Sequence, residues 1–327
     1  MAQNSAVHST YDQIGIEEDV DDAIYNVDPV DTPMASRVKR GKAINTMVEW
    51  QTDTLAAAAT NTQIEGDEIT YTTSTASVRL RNYTQLFFKN TIVSDTSRNV
   101  ATYGREDELE YQLAKRGKEL KRDIEFAFTR NQKIDAGSDA TARQMGSIES
   151  WLSTNEYKAN TAAANAATTT PGYSSGNLAA PTDGTSMTTF LELHLRNAMK
   201  DIWNNGGEPT LMLVDGNSKS WVSQNFAGIA SLQRETGGKR VADILGTADI
   251  YRSDFGVLEI VPDRHMRGRV ALLLDMRYWR ADVLQPIKID KMAKTGHSER
   301  RLISTELTIC SLNEKASGKI VDILDSY

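Results

Sequence analysis

The chain is poor in the residues that usually carry chemistry. It has one cysteine, Cys310, in 327 residues, so no internal disulfide can form, and the apolar run LTICSL makes that cysteine a small buried hydrophobe rather than a nucleophile. A cytoplasmic folding environment follows. The four histidines, His8, His194, His265 and His297, stand far apart, with none at helix-face metal spacing. There is no GxSxG elbow and no GxGxxG fingerprint, and DGNSKS has the wrong glycine spacing for a phosphate loop, so it reads as a strand-turn-helix junction. No apolar run approaches the roughly 18 residues that span a bilayer, and no charged start with an apolar stretch marks a signal peptide, so neither membrane insertion nor export is expected. No catalytic residue, cofactor or metal is expected either.

What is present is a polar chain with an uneven charge. Hydrophobic residues make up 39% and the length suits about two domains with cores of their own. The net charge of −7 conceals a split: residues 1–36 hold eight carboxylates and no Lys or Arg, while Arg252 to Arg301 is net positive. Such asymmetry guides self-assembly as readily as ligand binding. The cluster Glu17, Glu18, Asp19, Asp21, Asp22 lacks the alternating oxygen ligands and the glycine of a calcium loop, so it reads as a solvated or partner-facing charge run.

The longest helical signal runs from Gly104 to Lys133. Leu109, Leu113, Leu120, Ile124 and Phe128 form one narrow apolar stripe, with Ala114 and Ala127 widening it. Acidic residues crowd its first turns and basic ones come later, which complements the helix dipole. At 1.5 Å per residue it would be roughly 40 Å long. A thin stripe on so long a rod predicts a strut, covered on one face and open to water or neighbouring subunits on the other.

Around it the chain divides. Residues 1–45 show little periodicity and read as an extended arm that orders on contact. Residues 46–93 hold strand patterns in TMVEWQTDTL and SVRLRNYTQLFFKNTIV, separated by a long polar excursion turning near Glu65-Gly66-Asp67. Residues 134–185 carry few large apolar groups and read as exposed, with 151–185 a flexible insertion. Residues 186–285 alternate helices and apolar strands: a helix capped at Ser186 and ended by Asn205-Gly206-Gly207, then TLMLVD, a helix with Trp221, Val222 and Phe226, VLEIV and VALLLD. From Pro286 onward strands return, RLISTELTICSL the clearest, to pair with earlier ones. The basic patch Arg264, Arg267, Arg269 lacks interleaved aromatics and reads as an ion-pairing surface.

Three blocks of this sequence resemble the major capsid proteins of tailed bacteriophages, with the Hong Kong 97-type fold: VDPVDTPMAS followed by VEWQTDTLA, the stretch SDTSRNVATYGREDELEYQLAKRGKELKRDIEFAF, and KMAKTGHSERRLISTELTICSLNEKASGKI. His297 departs from that pattern, where an acidic residue is expected. The resemblance implies an α+β fold with an N-terminal arm at 1–45, an extended loop at 46–93, and a peripheral domain at 94–150 and 286–327 built on a spine helix at 104–133. It implies an axial domain at 186–285. It also implies a virion subunit assembled in the host cytoplasm into hexamers and pentamers of an icosahedral or prolate head around double-stranded DNA, with scaffolding, portal and decoration proteins as further partners. The candidate inter-subunit contacts are Asp19, Asp21 and Asp22 against Arg300 or Arg301 of a neighbour, with Glu65 and Asp67 at the loop turn. Two alternatives stand beside this: an encapsulin-like nanocompartment shell, and an α/β enzyme with a site assembled from residues such as Asp215, His265 and Asp275.

Overall fold

The chain winds twice between two sheets. The computed structural model describes residues 31–68, 71, 74, 76–100, 107–159, 167–226, 234–235, 243–244 and 249–324. Its elements begin with α1 (Pro33–Arg37), β1 (Lys39–Lys42), β2 (Met47–Thr52), β3 (Val78–Tyr83), β4 (Gln85–Ser94), α2 (Asp95–Asn99) and α3 (Glu108–Thr129). They continue through α4 (Ile148–Trp151), β5 (Glu156–Lys158), β6 (Tyr173–Ser174), β7 (Asn177–Leu178), α5 (Glu192–Asn204), β8 (Leu211–Val214) and α6 (Gly216–Asn225). The paired β9 (Arg234–Glu235) and β10 (Asp243–Ile244) follow, then β11 (Ile250–Ser253), β12 (Gly256–Pro262), β13 (Val270–Leu274), β14 (Trp279–Lys291), β15 (Ser298–Ser311) and β16 (Gly318–Val321).

One sheet has four strands in the order β1-β14-β15-β4, with α3 laid along it and a Lys89–Asp123 ion pair of 2.6 Å between β4 and the helix. The register of β14 shifts between Gln285 and Lys288, where Pro286 has no N–H to give a ladder. The other sheet has six strands, β11-β12-β8-β13-β16-β5. Its centre is buried on both faces, as its continuous apolar runs require. Leu211, Leu213, Leu272 and Leu274 face a core shared with α3 and the four-stranded sheet, while Met212, Val214, Ala271 and Leu273 face a second core containing α5 and α6 residues. The period-2 alternation of strands therefore splits one apolar run between two cores.

Several expectations change. The spine helix is 22 residues, about 33 Å at 1.5 Å per residue, and stops at Thr129 rather than Lys133. Tertiary bonds take the chain out of the helix there: Asn131 donates to the Pro181 carbonyl at 2.7 Å, and buried Gln132 donates to Gln85 Oε1 and the Met145 carbonyl at 2.7 and 2.6 Å. The expected start at Gly104 lies outside the described residues. Ala114 is exposed, while Ala127 is buried as expected, and the buried stripe widens further through Glu125 and Thr129.

The arm ends earlier than residue 45. Pro33 opens α1, Met34 and Val38 one turn apart enter the main core, and β1 pairs in parallel with β14. Gly41 is required in β1, because a Cβ there would lie 2.0 Å from Asp282 Oδ1.

The segment expected as a flexible insertion is packed where it is described. Trp151 and Leu178 are buried, Tyr173 stacks on Trp151 at 5.5 Å, and β5 joins the six-stranded sheet. It builds no core of its own; it seals an existing one, which small uncharged residues do well. The first helix of the following lobe begins at Glu192, not after Ser186, since Thr188 exchanges backbone bonds with Asp322 and Leu324 and holds that stretch extended. The strands after Pro286 do pair with earlier ones, β15 with β4, and β16 in the six-stranded sheet between β13 and β5.

Candidate assembly surface

The polar side chains of this structure concentrate at joints between elements. At the corner leading into α3, Ser94 caps α2 by accepting from Ser97 N–H at 3.2 Å, and Asp107 caps α3 by accepting from Leu109 N–H at 2.9 Å. Arg98 grips Asp107 with two bonds of 3.1 and 2.6 Å and also reaches Glu299, which accepts from Lys291 and Arg301 at 2.9 Å each. The Arg98 guanidinium holds the Asp107 carboxyl below its ordinary range, with the Leu109 N–H helping, and Lys291 lowers Glu299. The hairpin between β14 and β15 folds back on the same corner: Lys294 bonds Asp95, and His297 Nε2 lies 3.9 Å from that carboxylate.

A second joint ties the six-stranded sheet to the segment 148–184. Lys319, wholly buried in β16, donates to the Glu149 carbonyl at 2.8 Å and Thr170 Oγ1 at 2.5 Å, with Glu156 at 3.4 Å. Burial lowers its pKa against the pull of Glu149 and Glu156. Glu149 is raised by burial and opposed by Arg267, which bonds it at 2.9 and 3.0 Å and also reaches Asp183. Arg269 bonds Asp322 at 3.0 Å, and Asp322 takes the Thr168 amide and hydroxyl at 2.8 and 2.5 Å. The basic patch of the sequence is accordingly an ion-pairing surface turned inward for Arg267 and Arg269.

Away from these joints several large apolar side chains lie open. On β4, Phe87, Lys89, Thr91 and Val93 turn toward α3, while Leu86, Phe88 and Ile92 point away and are 52%, 59% and 59% exposed. β4 is an edge strand. The hairpin β2-β3 that carries the excursion is anchored at its root, Trp50 donating to the Ser311 carbonyl at 2.8 Å and Asn82 to the Ile309 carbonyl at 2.6 Å. Beyond Thr52 the described residues of the excursion form no regular element, and Leu55, Ile64 and Tyr71 are 99%, 78% and 92% exposed. Its turn is closed by Asp67 N–H to the Ile64 carbonyl at 3.1 Å around Gly66 at φ +86°. A groove of about 470 Å³ lies between α1, α3 and β14, with Ile124, Val283 and Ile287 in its wall and Arg40 and Lys121 as its cations.

The expected contact residues fall into three groups. Asp19, Asp21 and Asp22 lie outside the described residues. Glu65 and Asp67 sit on the exposed turn and make no ion pair among the described residues. The two arginines separate: Arg301 is engaged by Glu299, whereas Arg300 stands opposite Ile92 in the β4 register with a buried Nε that has no partner. Of the three residues of the enzyme alternative, Asp215, which caps α6 through Asn217 N–H at 3.0 Å, and His265, whose N–H bonds Asp263 at 2.9 Å, both act on Asp263, whereas Asp275 grips Arg277 at 2.7 Å in a separate turn, so the three are not brought together. The buried Glu125 and Lys319 and the surface Arg98 were missed in the sequence; only Glu125, beside Ile124 and one turn before Thr129, had a signal, its place on the apolar stripe.

Known proteins agree with the reading from the sequence. The family model for the SU10 major capsid protein matches residues 3–324. The major capsid protein of Escherichia phage Phieco32 is 27% identical over 339 residues, covering 96% of each chain. Among solved structures, a capsid subunit of cyanophage A-1(L) superposes with a TM-score of 0.70 at 10% identity, covering 96% of this chain and 98% of that one. The capsid of a native GTA particle gives 0.61 at 11% identity, covering 99% and 100%. Nothing in these comparisons supports the encapsulin-like alternative.

Proposed function

Because the chain belongs to the SU10 major capsid protein family and has the α+β Hong Kong 97-type capsid fold, we propose that copies of it join as hexamers and pentamers into a closed phage head around double-stranded DNA. The observation that carries the assembly reading is the contrast between a fully cored body and an excursion with no cover from its own chain among the described residues. Large apolar groups left open on a soluble subunit are surfaces that a neighbour covers.

In this reading the arm precedes Pro33, and α1 and β1 are already docked on the body; 46–93 are the extended loop with its root; 94–150 with β14 and β15 form the peripheral domain; and 186–278 with β16 form the axial domain that meets its copies at the capsomer centre. Residues 151–185 bind these parts to one another. The loop turn carries Glu65 and Asp67 onto a neighbour, and the acids Asp19, Asp21 and Asp22 meet Arg300 rather than Arg301, whose charge is already met. Decoration, portal and scaffolding proteins and the packaged DNA are partners of the shell rather than of a pocket. A net charge of −7 suits a container, since a strongly basic wall would hold DNA by counterion release.

Electron microscopy of the protein expressed alone, and with the neighbouring phage genes, tests this. Closed shells or rings of five and six are expected. A chain that stays monomeric under both conditions contradicts the proposal.

A further inference from the structure

The turn of the excursion sets one bare apolar side chain among acids. Ile64 is 78% exposed, and Glu65, Asp67 and Glu68 beside it are exposed as well. From Asp53 to Ser77 the excursion holds four carboxylates and no Lys or Arg. The tip nevertheless has a fixed shape, because the Asp67 N–H closes on the Ile64 carbonyl around Gly66 and the Asp67 carboxylate accepts the Glu68 N–H at 2.9 Å. A side chain presented by a closed turn loses little freedom when a partner grips it.

The body holds a recess of the opposite character. The groove of about 470 Å³ between α1, α3 and β14 lies where the β14 ladder shifts at Pro286, and Ile124, Val283, Pro286 and Ile287 make its apolar wall. That volume is within the range in which proteins hold small inserted groups. Ile287 is 52% exposed, so part of the wall has no cover among the described residues. Arg40 and Lys121 line the groove and are exposed. Arg40 makes one long bond of 3.5 Å to the Ala35 carbonyl, neither cation makes an ion pair among the described residues, and no carboxylate among them lines the groove.

We propose that this groove seats the excursion's turn from a second copy of the chain, Ile64 entering against Val283 and Ile287 while Glu65 and Glu68 meet Arg40 and Lys121. The seat presupposes the assembly reading and names the acceptor site within it. An apolar tip ringed by charges of one sign is met by an apolar recess rimmed by the other sign, which fixes both the partner and its orientation. The chain from Thr52 to Ile64 spans at most about 40 Å, so the tip can reach well beyond its own root. A contact of tip on groove is heterologous, and heterologous contacts close into rings where the rotation allows. Each copy then gives one tip and receives one, as a ring of five or six requires.

Charge reversal and disulfide trapping in the full chain test the seat. Arg40→Glu with Lys121→Glu alters only exposed side chains, so the unfolding midpoint is expected to stay while the concentration needed for assembly rises by about tenfold. Glu65→Lys with Glu68→Lys should do the same, and the four changes together should return assembly to within about threefold of the natural chain. That combination also restores the net charge, so the contact itself is read by treating assembled shells of Ile64→Cys/Ile287→Cys with oxidised glutathione. Covalently linked subunits are expected on a denaturing gel, with either single variant unlinked, since Cys310 is buried. Should that pair prevent assembly, Glu65→Cys with Ser36→Cys probes the same seat. Shells that form at the natural concentration after groove reversal, or that link at neither pair, overturn the seat and leave the assembly reading standing. Linking of Ile287→Cys to Val20→Cys within one chain would give the groove to the chain's own arm and overturn the seat too. A natural chain that forms no shell or ring removes both.

Discussion

The strands β8 and β13 and the strand β4 all carry large apolar side chains, and those side chains end in opposite situations. Leu211–Val214 and Val270–Leu274 are at most 2% exposed, covered on both faces by their own chain, whereas Leu86, Phe88 and Ile92 on β4 lie more than half open. The same contrast separates the root of the excursion, pinned by Trp50 and Asn82, from its turn, where Ile64 is bare. Apolar burial contributes about 25 cal/mol per Å² wherever it occurs. In the first region it is used within the subunit, and in the second it is left for a neighbour. A subunit of a shell needs both kinds, because a body that deforms cannot set angles and a surface already covered cannot join.

Breaking the covered side has the largest effect on the subunit itself. Trp151, 1% exposed between Trp50 and Tyr173 at ring separations of 5.4 and 5.5 Å, seals the main core. Trp151→Ala is expected to destabilise the subunit by about 3–5 kcal/mol in a denaturant titration. Glu149→Ala comes next, at about 3 kcal/mol, because it strips the buried partner from Arg267. If either change left unfolding untouched while stopping assembly, the body would not be the rigid half of the comparison.

The open side is expected to respond the other way. Ile64→Asp or Phe88→Asp changes subunit stability by no more than about 0.5 kcal/mol, yet raises the concentration needed for assembly by about tenfold, read by light scattering. Smaller still is the corner at Arg98. Asp95, Asp107 and Glu299 all have lowered pKa values, through Lys294, Arg98 and Lys291 respectively. Their contribution is present above the ordinary carboxylate range and is lost as pH falls through the lowered values. Arg98→Ala should lower the neutral melting temperature slightly and leave the strongly acidic value nearly unchanged, which flattens the acid limb.

The division between these regions was only partly legible in the sequence. Periodicity located α3, the strand runs from β3 into β4 and along β15, and the two buried strands, because each depends on local pattern and a long run of it. The helix end at Thr129 was not legible, since it is set by Gln132 reaching Gln85 and Met145, far away in the chain. Composition misjudged residues 167–185: a stretch with Leu178 as one of its few large apolar groups cannot make a core, but it can close one. Of the candidate contacts, Arg300 and Arg301 were indistinguishable as letters. Register alone places Arg301 on the α3 side with Glu299 and turns Arg300 toward the open face.

The most direct test compares hydrogen exchange of free subunits with that of assembled shells. Residues 53–68 are expected to gain strong protection on assembly while the amides of β8 and β13 stay as they were. Equal exchange of 53–68 in both states would contradict the account, for it would mean that the uncovered half of this chain remains uncovered in the shell.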